Sequence, residues 1–263
     1  MIDLHSHFLP AVDDGARNIE MTREMLAQAA SAGITRLLAT PHVNEHTTPA
    51  VEQRIRETFE LVKHEIDTLG YELRIDLAAE IRFDPAMLNW IDHDWIFIGS
   101  DRKYAIVELP IQGLPVNIRE HLFNLRMKQI TPIIAHPERN IVFQNQKEKL
   151  FGQIDPDTII QVNAGSIVGQ FGPGARQLAF ALLRRQSVHL ICSDAHEPKH
   201  RNYGILKKAC EEIEREFGAE PADLLFRKNP ERILEGRDVE TMQITPEKKD
   251  LRSLVRKYLN LGK

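Results

Sequence analysis

Short apolar runs alternate along the chain with longer segments whose apolar residues recur at helical spacing. The short runs predict strands and read MIDLH, ITRLLAT, LRIDLAA, YAIVEL, TPIIAH, TIIQVN and SVHLICSD, whereas WIFIGS fits either a strand or a turn. The longer segments predict helices from Asn18 to Gly33 and over residues 49–69, 117–129, 145–152, 173–185, 203–217 and 221–235. Strands that alternate with helices are typical of βα units, so we predict an α/β fold with a largely parallel sheet.

The residues that close these apolar runs are mostly of types that bind metal ions. They are His5 and His7, His42, Glu80, Glu108, His136, Asn163, and Asp194 with His196. In a barrel of parallel strands the carboxyl ends of the strands meet on one face, where such folds carry their chemistry. We therefore expect these side chains, although distant in sequence, to lie close together.

The N-terminal motif DLHSHFLPAVDDG adds the aspartates to this set. His5 and His7 are two residues apart, so on a strand both side chains point to the same face. Asp13 and Asp14 precede Gly15 in a turn that can fold back and offer one carboxylate to an ion; the alternative is an Asx-turn that only introduces the first helix. Five imidazoles and four carboxylates are too many for one ion and fit two or three divalent ions. Because no thiolate is present, Mn²⁺, Fe²⁺ or catalytic Zn²⁺ fits better than a closed structural zinc site.

This ligand set predicts hydrolysis of a phosphate ester. Clustered divalent ions lower the pKa of a bound water, and the resulting metal-bound hydroxide attacks phosphorus. Arg139 and Arg201 follow His136 and His196 closely in sequence and can clamp phosphate oxygens, although an ion pair with Glu138 or Glu197, or plain exposure, is the alternative for each. His42 or His196 is an optional proton donor.

Composition limits the other classes of function. The net charge is −4 and the basic residues are scattered, so nucleic-acid binding is not favoured. The chain shows neither a signal peptide nor an apolar run long enough to enter a membrane, and Cys192 and Cys210 form no disulfide framework, which predicts a cytoplasmic protein. Neither cysteine is followed by the arginine of the Cys-x5-Arg pattern, so a thiol nucleophile is not expected. The sequence does not indicate an oligomeric state.

The motifs DLHSH, ATPH, AHPERN and SDAH together resemble the polymerase-and-histidinol-phosphatase (PHP) superfamily. The longer stretches MIDLHSHFLPAVDDGA and ITRLLATPH resemble its manganese-dependent protein-tyrosine phosphatase branch from bacterial capsule and exopolysaccharide loci. The resemblance covers residues 1–236. Residues 237–263 lie outside it as an extension, in which KKDLRSLVRKYL predicts a helix that is either a basic docking element or simply solvated.

The resemblance implies a distorted (β/α)7 barrel with a trinuclear centre at the carboxyl ends of the strands. It places His5, His7, Glu80 and Asp194 around one ion; Glu80, Glu108 and His136 around a second; and Asp14, His42 and His196 around a third. It favours Asp14 over Asp13 as the ligand and implies that Arg139 and Arg201 contact phosphate. It also implies manganese as the metal and the tyrosine-rich tail of a polysaccharide-synthesis tyrosine kinase as the protein substrate.

Two features leave alternatives open. The branch often has a second histidine directly after ATPH, whereas this chain has Val43 there and His46 later, so the chain departs from the branch in a loop expected to receive the side chain of the substrate. The rivals are a small-molecule phosphatase acting on histidinol phosphate or a sugar phosphate, a nuclease-like module, and a metal-binding regulatory protein without turnover. The segment NAGSIVGQFGPGA is either a mobile loop at the site or an ordinary connection between a strand and a helix.

Overall fold

The structure, a computed structural model, describes residues 1–84, 87–114, 116–153 and 158–243. The strands in these ranges are β1 (Ile2–Ser6), β2 (Arg36–Ala39), β3 (His42–Val43), β4 (Arg74–Leu77), β5 (Glu80–Arg82), β6 (Phe97–Ile98), β7 (Tyr104–Glu108), β8 (Thr131–Ala135), β9 (Ile159–Asn163) and β10 (Leu190–Cys192). The α-helices are α1 (Ile19–Ser31), α2 (Pro49–Leu69), α3 (Ile118–Met127), α4 (Ile141–Asn145), α5 (Lys147–Gln153), α6 (Ala164–Ile167), α7 (Gly172–Arg184), α8 (Gly204–Phe217), α9 (Ala219–Asp223) and α10 (Asn229–Leu234).

The first two helices begin and end where local chemistry predicts. Asn18 caps α1 by accepting a hydrogen bond from the backbone N–H of Met21 at 2.9 Å. Thr48 caps α2 in the same way, and Gly70 ends α2 in the left-handed conformation with φ 66°. These caps need only neighbouring residues, which is why the sequence pattern predicts them well.

The strands form two sheets that are parallel except at one strand. The smaller sheet has the order β1-β2-β4, and the larger has the order β10-β9-β8-β7-β5-β3. β6 pairs with β7 in the antiparallel direction. The run WIFIGS therefore contains both of its predicted alternatives, a 3-10 turn at Asp94–Ile96 followed by the short strand β6. The predicted α/β class with a largely parallel sheet is confirmed.

Contacts join the two sheets on both sides. β3 and β5 continue the chain directions of β2 and β4, and the backbone N–H of Glu80 donates to the carbonyl of Pro41 at 3.1 Å. On the other side Ser6 of β1 pairs in parallel with Ala195, and the N–H of Asp194 donates to the carbonyl of His5 at 2.9 Å. β1 thus lies between β2 and the segment that follows β10.

Alternate residues of the strands face two different apolar clusters. Val107 and Ile134 pack with residues of the helices, whereas Ile106 and Ile133 pack with residues of neighbouring strands. Two buried faces are typical of parallel strands covered by helices. Glu108 is two residues after Ile106 on β7, so it points to the face that the strands share.

The C-terminal helical region differs in detail from the prediction of one helix over residues 221–235. It consists of α9, a π-helical turn at Leu224–Lys228 and α10. Pro230 lacks an N–H and cannot complete the regular helical hydrogen bonds, which is a common cause of a locally widened turn. No helix of the described residues is long and apolar enough to cross a membrane. The predicted helix KKDLRSLVRKYL lies outside the described residues.

Candidate metal centre

The structure brings all nine candidate ligands into one cluster at the carboxyl ends of the strands. Their donor atoms form four overlapping groups in the described part of the chain, and within each group the atoms lie within 4.8 Å of one another. The groups are His7, Asp14, His42 and His196; His5, His7 and Glu80; His5, His136 and Asp194; and His42, Glu80 and Glu108. One set of three predicted from the resemblance, Asp14 with His42 and His196, falls within a single group.

Glu80 lies at the centre of the cluster. Its Oε2 is 3.1 Å from His5 Nε2 and 3.3 Å from His7 Nε2, and its Oε1 is 3.1 Å from His136 Nε2. The side chain is completely buried, and Oε2 has no hydrogen-bond partner. A buried carboxylate oxygen without a partner is unfavourable unless a cation compensates it, and a carboxylate with two oxygens can bridge two ions. The donor set therefore fits divalent metal ions.

The charges in the cluster depend strongly on one another. Burial would raise the pKa of Glu80, but the imidazoles of His5 and His136 outweigh it and hold the pKa well below its usual range. Burial opposes the charged form of His5, but the carboxylates of Glu80 and Asp194 raise its pKa above the ordinary value. The buried carboxylates thus favour positive charge on the neighbouring groups, and bound cations can supply that charge.

Asp13 and Asp14 divide between the two interpretations of their motif. The Oδ1 of Asp13 accepts from the N–H of Gly15 at 3.0 Å, which is the predicted Asx-turn, and its Oδ2 lies 2.6 Å from His7 Nδ1. Asp14 reaches the cluster itself, with Oδ1 3.3 Å from His42 Nε2 and 3.4 Å from His196 Nε2. Asp13 therefore supports a histidine, whereas Asp14 is placed as a ligand would be.

Gln161 is a supporting residue that the sequence analysis missed. Its Oε1 lies 2.7 Å from His5 Nδ1 and accepts the N–H of that nitrogen, which leaves Nε2 free to face Glu80. A glutamine is not a common metal ligand, so its residue type gave no signal. Its position did carry one, because it precedes Asn163 by two residues on β9 and so shares its face.

The two arginines meet at Asp194. Arg139 Nη1 donates to Asp194 Oδ2 at 2.9 Å, Arg201 Nη2 donates to the same oxygen at 2.5 Å, and Asn163 Nδ2 does so at 2.6 Å. The other oxygen, Oδ1, faces the imidazoles of His5 and His7 at 3.7 Å. Arg201 Nε is buried without a hydrogen-bond partner. Both guanidinium groups thus border the metal-ligand cluster and have further N–H groups to offer.

Two residues of the site have strained backbone conformations. His136 has φ 32° and Asp194 has φ 54°, in the left-handed region that favours glycine. The N–H of His136 donates to the carbonyl of Gln161 at 2.8 Å, and the N–H of Asp194 donates to that of His5, so neighbouring strands hold both conformations. Such strain at strand ends is concentrated at functional sites.

The histidine of the divergent ATPHVNEH segment does not join the cluster. The His46 side chain is 84% exposed and lies 3.4 Å from Glu45. Val43, which stands where the branch often has a second histidine, is completely buried in the apolar core.

Comparisons with known proteins give the family of this chain and several relatives. A model of the family described as "Capsular polysaccharide synthesis, CpsB/CapC" matches residues 1–235. Tyrosine-protein phosphatase YwqE of Bacillus subtilis is 29% identical over 239 residues, covering 91% of this chain and 93% of its own. Tyrosine-protein phosphatase CpsB of Streptococcus agalactiae is 30% identical over 239 residues, covering 89% of this chain and 98% of its own.

A solved structure is similar over nearly the whole chain. It comes from a study of YwqE of Bacillus subtilis and CpsB of Streptococcus pneumoniae, described there as metal-dependent tyrosine phosphatases. The TM-score is 0.83 at 29% identity, and the match covers 95% of this chain and 100% of that one.

Proposed function

Because the chain belongs to the CpsB/CapC family of capsular polysaccharide synthesis, we propose that it is a metal-dependent protein-tyrosine phosphatase. The observation that carries this proposal is the position of Arg139 and Arg201. Both donate to Asp194 Oδ2, while Asp194 Oδ1 faces the histidines. Donors for phosphate therefore border a cluster suited to divalent ions. Metal ions and a cationic clamp side by side are the parts that phosphoryl transfer requires.

We propose that the two sheets close into a distorted (β/α)7 barrel. The pairing of β1 with β2, and of Ser6 with Ala195 after β10, supports this closure, as do the continuations of β2 and β4 into β3 and β5. Residues 1–236 form the catalytic unit in this proposal, supported by the family match to residues 1–235, and residues 237–263 lie outside that match as an extension.

The nine candidate ligands hold two to three divalent ions in this proposal, with Mn²⁺ preferred and Fe²⁺ or Zn²⁺ also compatible with imidazole and carboxylate donors. When bound, such ions lower the pKa of a coordinated water and polarise the phosphoryl oxygens. Neighbouring side chains orient two of the ligands: His5 and His7 each have Nδ1 paired with a side-chain oxygen, which leaves Nε2 for the metal.

Arg139 and Arg201 bind the phosphoryl oxygens and neutralise the charge that grows on them in the transition state. Of the two optional proton donors, His196 has Nδ1 3.0 Å from the carbonyl oxygen of Asp194, so its Nε2 carries the lone pair and suits a ligand better. His42 is the remaining candidate. Because a tyrosine hydroxyl has a pKa of about 10, phenolate leaves with little help from either residue.

The proposed substrate is phosphotyrosine in a protein, specifically the tail of a polysaccharide-synthesis tyrosine kinase in the cytoplasm. The names of the relatives as tyrosine-protein phosphatases support the first part, and the family description supports the link to capsular polysaccharide synthesis. The alternatives are a phosphatase for histidinol phosphate or a sugar phosphate, and a metal-binding regulatory protein without turnover.

The test combines metal analysis with turnover of a phosphotyrosine peptide. We expect a chelator to abolish turnover and an alkylating agent to leave it intact, because Cys192 is completely buried and no cysteine is among the candidate ligands. His136→Ala is expected to lower metal affinity by about a hundredfold or more, since even supporting residues of a metal site contribute about 10- to 100-fold. His46→Ala removes an exposed histidine outside the cluster and is the matched control.

Two results would reject parts of this proposal. Faster turnover of histidinol phosphate than of phosphotyrosine peptide would indicate the small-molecule phosphatase. A metal-loaded protein that hydrolyses no phosphoester would indicate the regulatory protein.

A further inference from the structure

The glycine-rich segment NAGSIVGQFGPGA, residues 163–175, contacts both arginine-bearing parts of the site. It runs from the end of β9 through α6 to the start of α7. Its sequence fits a mobile loop as well as an ordinary connection, but in the structure the segment makes specific contacts on two sides. They lead to Arg139 on one side and to the residue before Arg201 on the other.

On the first side, Phe171 stacks on Arg139. The guanidinium carbon of Arg139 lies 4.4 Å from the centroid of the Phe171 ring, a distance typical of a cation–π contact. Gly165 makes room for this ring, because a Cβ atom at Gly165 would lie 2.5 Å from Phe171 Cε2. The missing side chain at Gly165 therefore allows Phe171 to reach the arginine.

The same segment also fixes the backbone that carries Arg139. The buried Glu138 accepts, through Oε1, the N–H of Asn163 at 2.9 Å and the hydroxyl of Ser166 at 2.6 Å. Gln144 Nε2 donates to the carbonyl of Glu138 at 2.9 Å, and Gly174 lies so close to Gln144 that a Cβ atom would overlap with it. Contacts from both ends of the segment thus hold the loop of Arg139.

On the second side, Gln170 binds the loop of Arg201. Gln170 Nε2 donates to the carbonyl of His200 at 2.9 Å. The carbonyl of Arg201 in turn accepts the N–H of His196 at 2.9 Å, and this hydrogen bond joins the two ends of the loop from His196 to Arg201. Asn163 completes the arrangement by donating to Asp194 Oδ2, the atom on which both arginines converge.

We propose that Phe171 and Gln170 are positioning residues that set the orientation and separation of the two arginines for phosphate. This inference rests on the proposed function, which assigns Arg139 and Arg201 to the phosphoryl oxygens. A planar guanidinium binds phosphate well only when its N–H groups are aimed at the oxygens, and an aromatic ring on one face restricts that plane. Phe171 and Gln170 act through the arginines and need no contact with phosphate.

The test measures the affinity of the metal-loaded full chain for inorganic phosphate by calorimetry, together with its metal content. We expect Phe171→Leu to weaken phosphate binding roughly three- to tenfold, the size that one cation–π contact supports, with unchanged metal content. Phe171→Tyr keeps an aromatic face and is expected to retain the affinity. Phe151→Leu is the matched control, because it removes a similar stack with Arg185 at 3.9 Å that is not part of the site.

A double-mutant cycle separates positioning from general damage to the fold. In an Arg139→Ala background, Phe171→Leu is expected to have no further effect on phosphate affinity. Gln170→Ala is expected to weaken phosphate binding when Arg201 is present and to have no further effect in an Arg201→Ala background. Equal losses with and without the arginine, or no loss in Phe171→Leu, would overturn the inference. Because the assay measures binding, a wild type that binds phosphate but hydrolyses no phosphotyrosine peptide would reject the proposed function and leave this result readable.

Discussion

At the scale of single residues, the partner of Nδ1 decides which nitrogen faces the cluster in three of the candidate histidine ligands. Nδ1 of His5 pairs with Gln161, Nδ1 of His7 pairs with Asp13, and Nδ1 of His196 lies against the carbonyl of Asp194. In all three cases Nε2 remains free for a metal ion. Such partners fix the ring orientation and increase the basicity of the ligand nitrogen.

The contact between Asp13 and His7 gives the first prediction. Asp13→Asn replaces the carboxylate 2.6 Å from His7 Nδ1 by a neutral amide, which can present N–H to that nitrogen and disturb the ring. We expect metal affinity to fall about 10- to 100-fold, as is usual for a lost supporting carboxylate. Calorimetric titration of the metal-free protein with Mn²⁺ measures this change.

Glu45→Gln provides the matched control for Asp13→Asn. Glu45 also pairs with a histidine, His46, but both side chains are exposed and lie outside the cluster. We expect its metal affinity to equal that of the wild type. An Asp13→Asn protein with unchanged affinity would show that His7 does not depend on this carboxylate.

The sequence predicted the candidate ligands better than the residues that support them. His136 and Asp194 could be found because their residue types suit metals and because they follow buried strands. The roles of Gln161 and Phe171 could not be found, since each depends on a partner that only the folded chain brings near. Asp13 was found, but its function as the partner of His7 follows only from the geometry.

At the scale of secondary structure elements, two ligands lie on strands that the sequence pattern does not separate. ITRLLAT and LRIDLAA each predict one strand, but the structure has β3 and β5 shortly after β2 and β4, and they carry His42 and Glu80. Pro41 has no N–H to give to the ladder, which explains the end of β2 before β3. Hydrophobic periodicity cannot reveal β3 and β5, because strands of two and three residues are too short to show a period.

The turn after β1 gives the second prediction. Gly15 packs against the backbone of His7, and a Cβ atom there would lie 2.0 Å from the His7 carbonyl oxygen. Gly15→Ala must therefore push the turn of Asp13 and Asp14 away from the strand. We expect a loss of stability of roughly 1–3 kcal/mol and weaker metal binding, measured by urea unfolding and metal titration.

Gly152→Ala is the control for this prediction. Gly152 lies in α5 and has no atom within 4 Å of a Cβ position, so alanine fits without displacement. Alanine in a helix is favoured over glycine by up to about 1 kcal/mol, so we expect equal or slightly higher stability and normal metal binding. If Gly15→Ala behaved like Gly152→Ala, the close packing of the turn on β1 would be wrong.

At the scale of the whole molecule, the sequence predicted the class of fold but not its pairing of strands. Alternating strands and helices indicated a parallel sheet, because the signal lies within each segment. The pairing of β1 with β2, and above all the bridge from Ser6 to Ala195 almost two hundred positions away, depend on contacts for which a single sequence holds no local signal. The convergence of the ligands could be expected only because every parallel strand presents its carboxyl end on the same side.

Removal of metal gives a prediction for the entire fold. Any ion that binds the folded protein stabilises it, by about 2.7 kcal/mol when its free concentration is one hundred times its dissociation constant. We expect EDTA to lower the midpoint of thermal unfolding of the wild type. In His136→Ala the drop should be smaller, because less metal binds at the start; an equal drop would mean that His136 is not a ligand.

His189 gives the last prediction, on the stability of the fold at acidic pH. Burial lowers the pKa of His189 from 6.5 to about 4, and its Nδ1 accepts the N–H of Ile160 at 3.1 Å, which requires the neutral ring. In the unfolded chain the ring regains its ordinary pKa, so between pH 6.5 and 4 the unfolded state binds more protons. The stability that the neutral ring provides is complete above about pH 6.5 and is lost as the pH falls toward 4.

We expect His189→Gln to reduce this acid sensitivity. Between pH 7 and pH 4.5, the loss in free energy of unfolding should be smaller in the variant than in the wild type by roughly 2 kcal/mol, measured by urea unfolding. Both proteins are kept in EDTA, so that the pH dependence of metal binding does not contribute. His46→Gln, which changes a side chain that is 84% exposed, should follow the wild type. If His189→Gln lost as much stability as the wild type over this range, protonation of another buried group would have to explain the acid sensitivity.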